Sequence, residues 1–331
     1  MVTAIRSARI EVRRWSVALV EAMSVQDFVL GVYLVILGAA VLSGAGPDRV
    51  RAEQAVLIDL IVYGVGLAVT RGELIPRDGL VGATLYRLFG PVVIFLSYFQ
   101  LRLILPTVSS AAYDLDLYAL DLAVFGVEPA VAWDHLVTPA RTEWFSFFYL
   151  SYFGLLAAYL SSMTFLCRDQ ARLSSFALGV FLLFTIGQLL YMVVPGYGPY
   201  AALSAHFTRP LEGPTYWALV DELVTRGGAL KDIFPSLHTA VPTFFALYSW
   251  RHRDLPALRW LWPVVALVAS QIVLATMYLR WHYLIDVVAG LTLAVVVDQL
   301  SARVGAWEVA RRAHLGRPPV FEPLPGTPGR P

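Results

Sequence analysis

The chain has 331 residues, enough for two soluble domains, but 58% of them are hydrophobic and only 15% charged, a composition that excludes an ordinary soluble protein and points to a polytopic membrane protein. A formal net charge of +1, with the basic residues in short clusters between apolar runs, argues against nucleic acid as a partner. A single cysteine, Cys167, excludes an intramolecular disulfide, a thiolate zinc site and an iron–sulfur cluster.

The first 26 residues carry Arg6, Arg9, Arg13 and Arg14 around Ile5, Ile10, Val12 and Trp15. They read either as a face resting on anionic headgroups or as a solvated basic segment. Glu21 and Asp27 separate these arginines from the first long apolar run, unlike a cleaved signal. Apolar runs follow at 28–44, 55–70, 88–106, 144–166, 174–194, 234–250, 260–279 and 282–300, near the length that crosses a ~30 Å hydrocarbon core. Only helices satisfy their own backbone in lipid, so the expected fold is an all-α membrane bundle of about eight transmembrane helices. The chain then divides into a basic segment (1–26), two N-terminal transmembrane helices (27–84), a catalytic membrane domain (85–302) and a cytoplasmic tail (303–331). From Gly316 onward that tail is rich in proline and glycine and is expected to be disordered.

Orientation follows from the cations. With the N-terminus in the cytoplasm, the inner segments hold the N-terminal arginines, Arg71, Arg77, Arg87, Arg168, Arg172, Arg251, Arg253, Arg259, Arg303, Arg311, Arg312 and Arg317. The outer segments hold Arg49, Arg51, Arg102, Arg141, Arg209, Arg226, Lys231 and Arg280. The positive-inside rule therefore places both termini in the cytoplasm, in what is expected to be the plasma membrane. Two long outer loops remain. The loop at 107–143 sets Asp114, Asp116, Asp121, Glu128 and Asp134 among aromatic and aliphatic residues, a spacing that suggests short interfacial helices. The loop at 195–233 begins Pro195-Gly196-Tyr197-Gly198-Pro199-Tyr200, which cannot be helical. Loops of this length over a membrane core are lids or binding elements.

The chemistry sits in two outer segments, Phe234-Pro235-Ser236-Leu237-His238 and Tyr278 to Asp286. Ser236 is placed to cap a helix, and both helix starts offer amide groups and a positive dipole end to an anion. Asp286 follows His282 by one turn, so its carboxylate can hold the proton on one imidazole nitrogen while the other attacks phosphorus. His238, from the other helix, can protonate the leaving alkoxide and later deprotonate the incoming hydroxyl. Arg280 offers a guanidinium for phosphate oxygens. Taken singly, each has a plainer role: an interfacial histidine, an aspartate paired with an arginine, or an arginine snorkelling to headgroups.

Pro235-Ser236-Leu237-His238 and His282-Tyr283-Leu284-Ile285-Asp286 resemble the P-S-x-H and H-x-x-x-D motifs of the type 2 phosphatidic acid phosphatase superfamily. Leu117-Tyr118-Ala119-Leu120-Asp121 and Phe125-Gly126-Val127-Glu128-Pro129 are similar to the branch related to fungal inositol phosphorylceramide synthase, an inositolphosphotransferase. The resemblance covers roughly residues 85–300. It implies His282 as nucleophile, Asp286 as its partner and His238 as general acid and base, with no cofactor and no metal. Two departures stand out. Ala275 and Thr276 occupy the place of the Ser-Arg that opens the third motif, and the K-x6-R-P motif is matched only in position, by Tyr191 through Gly198-Pro199. Phosphate binding then falls to Arg280, Lys231 and Arg209, with Ser236, Tyr197 and Gly198.

The expected function is a metal-independent lipid phosphotransferase or phosphatase working through a phosphohistidine at the outer membrane face. Its partners are a lipid substrate and, for transfer, a polyol or lipid-alcohol acceptor. A simple phosphatase acting on phosphatidate or a polyprenyl phosphate or diphosphate is the alternative, and an inactive scaffold or a transporter are further ones. Neither the lipid, the acceptor nor the oligomeric state is fixed by the sequence.

Overall fold

The computed structural model describes residues 16–72, 74–75, 79–229 and 231–324, and each expected apolar run is a helix in it. Arg6, Arg9, Arg13, Arg14 and Arg77 lie outside the described residues. The N-terminal helices are α1 (Val25–Ser43), α2 (Arg49–Thr70) and α3 (Gly79–Val108). Then come α4 (Asp114–Phe125), the short α5 (Pro129–Ala132), α6 (Pro139–Phe165) and α7 (Gln170–Val193). A single turn, α8 (Pro199–Ala202), and α9 (Tyr216–Gly227) precede α10 (Leu237–Arg251), α11 (Pro256–Tyr278) and α12 (Leu284–His314). Helix starts follow local chemistry. Ser24 and Asp27 form a reciprocal capping box on α1, and Asp169 accepts from the Ala171 and Arg172 amides at the start of α7.

Seven of these helices are long and apolar enough to cross a membrane, which makes this an integral membrane protein. The remaining apolar run, 234–250, gives α10, which has only 15 residues with Pro242 inside it. It packs against α6, α7, α11 and α12, with Phe244 and Phe245 fully buried, so it needs no lipid-matched length. Ser236 at its start donates its amide to the Asp286 carbonyl on α12, and Arg251 at its end pairs with Asp298, roughly 18 Å further along α12. The helix therefore still runs through most of the bundle. Contact between α10 and α12 is close because of Gly290, where a Cβ would stand 2.5 Å from the Ser236 carbonyl oxygen. That approach ties the two histidine segments together, since small residues let helix backbones meet where lipid supplies no hydrophobic drive.

On the face away from the histidines the arginines are anchored to neighbouring elements. Arg71 pairs with Asp27 at 2.7 Å and donates to the Val320 carbonyl, and Arg87 donates to the carbonyls of Thr164, Cys167 and Glu322. Arg312 pairs with Glu308 at 2.8 Å. These contacts correct the expectation of disorder from Gly316 onward as far as residue 324. Helix α12 continues to His314, and the following segment lies across the bundle with Val320 and Phe321 buried beside Leu173. Two arginines inside the bundle need carbonyl acceptors, and this strap supplies them.

Candidate active site

The link between α11 and α12 carries the third motif, and its backbone is set by a helix C-terminal cap. The Arg280 amide donates to the Met277 carbonyl and the Trp281 amide to that of Thr276, the pair of bonds that closes a Schellman motif. The closing residue must be left-handed, and Arg280 sits there at φ 66, where glycine is the usual occupant. Its side chain holds the turn. The guanidinium donates to Asp134 Oδ1 at 2.8 Å and to the Arg209 carbonyl at 2.7 Å, and it stacks 3.9 Å from the centre of the Phe207 ring. Arg280 is thus turned into the loops rather than toward the histidines.

His282 leaves this turn, and Tyr283 caps α12 with its amide bonded to Asp286 Oδ2 at 2.9 Å. The same oxygen lies 3.5 Å from His282 Nδ1, which has no hydrogen-bond partner here. The His-x-x-x-Asp pair is therefore held by a cap and not by two positions of a regular helix. His238, one residue into α10, stacks on Tyr149 with ring centroids 4.5 Å apart and contacts Tyr152 at 4.3 Å. Its ring centroid is 6.4 Å from that of His282. Nε2 of His238 has no hydrogen-bond partner, and both imidazoles line one cavity of about 130 Å³.

The walls of that cavity come from five directions. Tyr98 and Phe99 belong to α3, Tyr149 and Phe153 to α6, Tyr197 and Tyr200 to the loop around α8, Leu223 and Val224 to α9, and Asp232 to the segment before α10. Helix α9 forms a lid clamped at both ends. Glu143 accepts from the Thr215, Tyr216 and Trp217 amides, and Arg102 donates to the Thr225 and Arg226 carbonyls. At the other side Phe99 and Phe153 remain 72% and 42% exposed, which leaves an aromatic mouth on the lipid-facing flank. An apolar groove between α3 and α6, about 440 Å³ and lined by Pro91, Phe95, Leu96 and Leu160, shares Phe99 with the cavity.

Of the residues expected to bind phosphate, Tyr197 alone lines the cavity. Lys231 is buried with Nζ donating to the carbonyls of Ser109, Ser110 and Ala111, so it closes the end of α3. Arg209 donates to the Val137 carbonyl. Ser236 is the cap of α10, its Oγ accepting from the Thr239 amide at 3.2 Å. Gly198, at φ +94 with its Cβ position 2.5 Å from the Trp281 carbonyl oxygen, lets the α8 loop lie against the third motif. Its amide and that of Tyr197 are taken by the Asp114 carboxylate. The start of α12 is likewise occupied. Asp121 accepts from the Leu284 and Ile285 amides, both at 2.8 Å, so these donors are not open to an anion.

Sequence reasoning therefore missed Asp114, Asp121 and Asp134 as brackets between the loops and the motifs, and it missed Asp232 altogether. The bracket signal was present as an acidic loop facing unpaired helix ends. Asp232 had none. It lines the cavity beside His282, its Oδ2 lies 3.5 Å from the Tyr98 hydroxyl, and burial pushes its carboxyl up from the usual range against the lowering effect of His282.

A family model described as the PAP2 superfamily matches residues 116–299, which include both histidines, Asp286 and Asp232. Comparison with curated proteins and with solved structures gives no match.

Proposed function

The chain belongs to the PAP2 superfamily, and on that premise, which supports a phosphatase or phosphotransferase type of activity, we propose that it moves the phosphoryl-containing head of a membrane lipid through a phosphohistidine at His282. The observation that carries this reading is the placement of His282 and His238 on one cavity, with Asp286 behind His282 Nδ1. In this reading Asp286 accepts the Nδ1 proton as the contact tightens in the reacting complex, which fixes the tautomer and leaves Nε2 of His282 as the nucleophile. In the first half-reaction a bond forms from Nε2 to phosphorus and the bond from phosphorus to the leaving alcohol breaks, while His238 donates the proton that the leaving oxygen takes up. In the second, His238 removes the proton of an acceptor hydroxyl, its oxygen attacks phosphorus and the bond to Nε2 breaks. The negative charge of Asp286 offsets the positive charge that His282 acquires between the two.

The lipid enters from the side in this proposal. Its chain lies in the groove between α3 and α6, and its phosphate passes Phe99 and Phe153 to reach the histidines. Transfer to an alcohol is favoured over hydrolysis by the clamped lid and the aromatic walls, because a transferase must keep water from the phosphoenzyme. Similarity to the inositol phosphorylceramide synthase branch points to a polyol or lipid alcohol as acceptor. With water in that place the same steps give a lipid phosphate phosphatase. The basic residues on the opposite face support a cytoplasmic position for that face in this reading, with the cavity then on the outer side of what is proposed to be the plasma membrane.

The test is to incubate the purified protein with phosphorus-labelled phospholipids, quench, and look for an acid-labile label on a histidine. Label on His282, lost with turnover in His282→Ala by several orders of magnitude, is expected. Unlabelled protein that turns over normally, or near-normal turnover by His282→Ala, refutes the reading. Adding millimolar polyols or lipid alcohols then separates transfer from hydrolysis by product.

A further inference from the structure

The cavity has no obvious way to hold a doubly charged phosphate. Arg280, Lys231 and Arg209 do not line it: Arg280 Nη2 donates to Asp134 and the Arg209 carbonyl while its buried Nε has no hydrogen-bond partner, Lys231 Nζ donates to loop carbonyls and Arg209 Nη1 to that of Val137, and the amides at the start of α12 are spent on Asp121. Tyr191 and Thr276 stand where the superfamily motifs carry a lysine and an arginine. Tyr191 directs its hydroxyl to the Leu237 amide, and the Thr276 carbonyl and hydroxyl are taken up within the end of α11. Among the described residues, no lysine or arginine lines the cavity, whereas a carboxylate does. That carboxylate is rigidly set. Asp232 forms a β-bridge with Gly196, Lys231 before it is anchored, and Ile233 after it is buried against Leu117, Leu203 and Tyr283.

We propose that Asp232 is a charge filter, which makes this cavity accept phosphodiester head groups and reject phosphomonoesters. The inference rests on the phosphohistidine reading above and names its substrate class. A diester carries one negative charge, whereas a monoester carries about 1.5 to 2 at pH 7. The developing imidazolium at His282 can balance a single charge. In this reading Asp232 stays ionised in spite of its burial, kept so by its backbone amide and His282, and the second charge of a monoester then meets that carboxylate in a partly desolvated space with no lysine or arginine to offset it, where like charges repel strongly. The tyrosine hydroxyls of the walls can donate to either class, so they do not discriminate between them.

The experiment measures kcat/KM of the full chain in mixed micelles, on a phospholipid with a polyol head group and on phosphatidate with the same acyl chains. The wild type is expected to prefer the diester by about tenfold or more, as one uncompensated like charge at short range implies. Asp232→Asn should raise the monoester rate relative to the diester rate by a similar factor, and Asp232→Glu should keep the wild-type preference. A measurement independent of any variant is inhibition of the wild type, by dimethyl phosphate more strongly than by inorganic phosphate. Preference for the monoester, an unchanged ratio in Asp232→Asn, or equal losses on both substrates would each overturn the filter. Label on His282 accompanied by monoester preference sinks the filter alone, while absence of label from both substrates sinks the phosphohistidine reading and the filter with it.

Discussion

Arg280 distinguishes a phosphate clamp from a structural bolt, and the two roles make different predictions for Arg280→Gly. The substitution relieves a left-handed non-glycine residue, a gain of about 1–2 kcal/mol. It removes hydrogen bonds to Asp134 and to the Arg209 carbonyl, each worth about 1.5–3 kcal/mol when one group is charged, and a ring contact worth about 0.5–1 kcal/mol. The balance is a loss of roughly 1.5–6 kcal/mol, which lowers the midpoint of thermal unfolding by about 2–9 °C for a chain of this size. Asp134 keeps its bonds from the Thr208 amide and hydroxyl, so it is not stranded. The decisive measurement is a double-mutant cycle with Asp134→Asn, followed by thermal unfolding in mild detergent and by turnover. A coupling of about 1–3 kcal/mol between two residues in contact is expected. Additive stabilities, with a rise in KM confined to Arg280→Gly, would show that the guanidinium serves the substrate and that the structural assignment is mistaken.

Asp121→Ala removes the acceptor for two amides at the start of α12; turnover should fall more than tenfold while the histidine label still forms slowly, and unchanged turnover would detach the first loop from the site. Cysteines at Glu212 and Asp116, both exposed, in a Cys167→Ser background should react with an impermeant reagent from outside, and cysteines at Arg168 and Arg253 only after permeabilisation; the reverse pattern inverts the membrane orientation. Glu128 is held up to about 7, chiefly by burial. Below its ordinary value near 4.5 the group is protonated whether the chain is folded or not, so stability contributed by the raised carboxyl is lost as pH rises through about 7. Glu128→Gln should therefore flatten the fall in unfolding midpoint between pH 5 and 8, and an unaltered slope would mean that another group sets it.

The parts of this molecule that were legible in the sequence are those whose signal is local. Eight apolar runs announce eight helices, and the cap at Ser236 and the four-residue step from His282 to Asp286 announce a helix start and a neighbouring His–Asp pair, because each depends on neighbours in the chain. What was illegible depends on distance. Asp121 meets Leu284 across 163 positions and Arg280 meets Asp134 across 146, and no spacing rule connects them. An arginine two residues before a proposed nucleophilic histidine reads naturally as a phosphate ligand, and only the direction of its side chain says otherwise. The strap after α12 was misread for a related reason: proline and glycine disfavour a helix, but Val320 and Phe321 still pack, and their carbonyl neighbours serve Arg71 and Arg87.

The acidic loop explains why the cavity can dispense with cations in its walls. In the bracketed arrangement, carboxylates from residues 114–134 neutralise helix amides and Arg280, fixing the histidine segments without substrate. A site arranged in advance spends little of the substrate's binding energy on ordering itself. It also gives up the donors that a phosphomonoester enzyme needs, because every amide or guanidinium used as a bracket is withdrawn from the ligand. On the proposed reading affinity then comes largely from the lipid, through the apolar groove between α3 and α6 and the aromatic mouth at Phe99 and Phe153. On this reasoning short-chain substrates should lose turnover more steeply than they would at a cation-lined site, since the chain, and not the phosphate, holds the head group against His282.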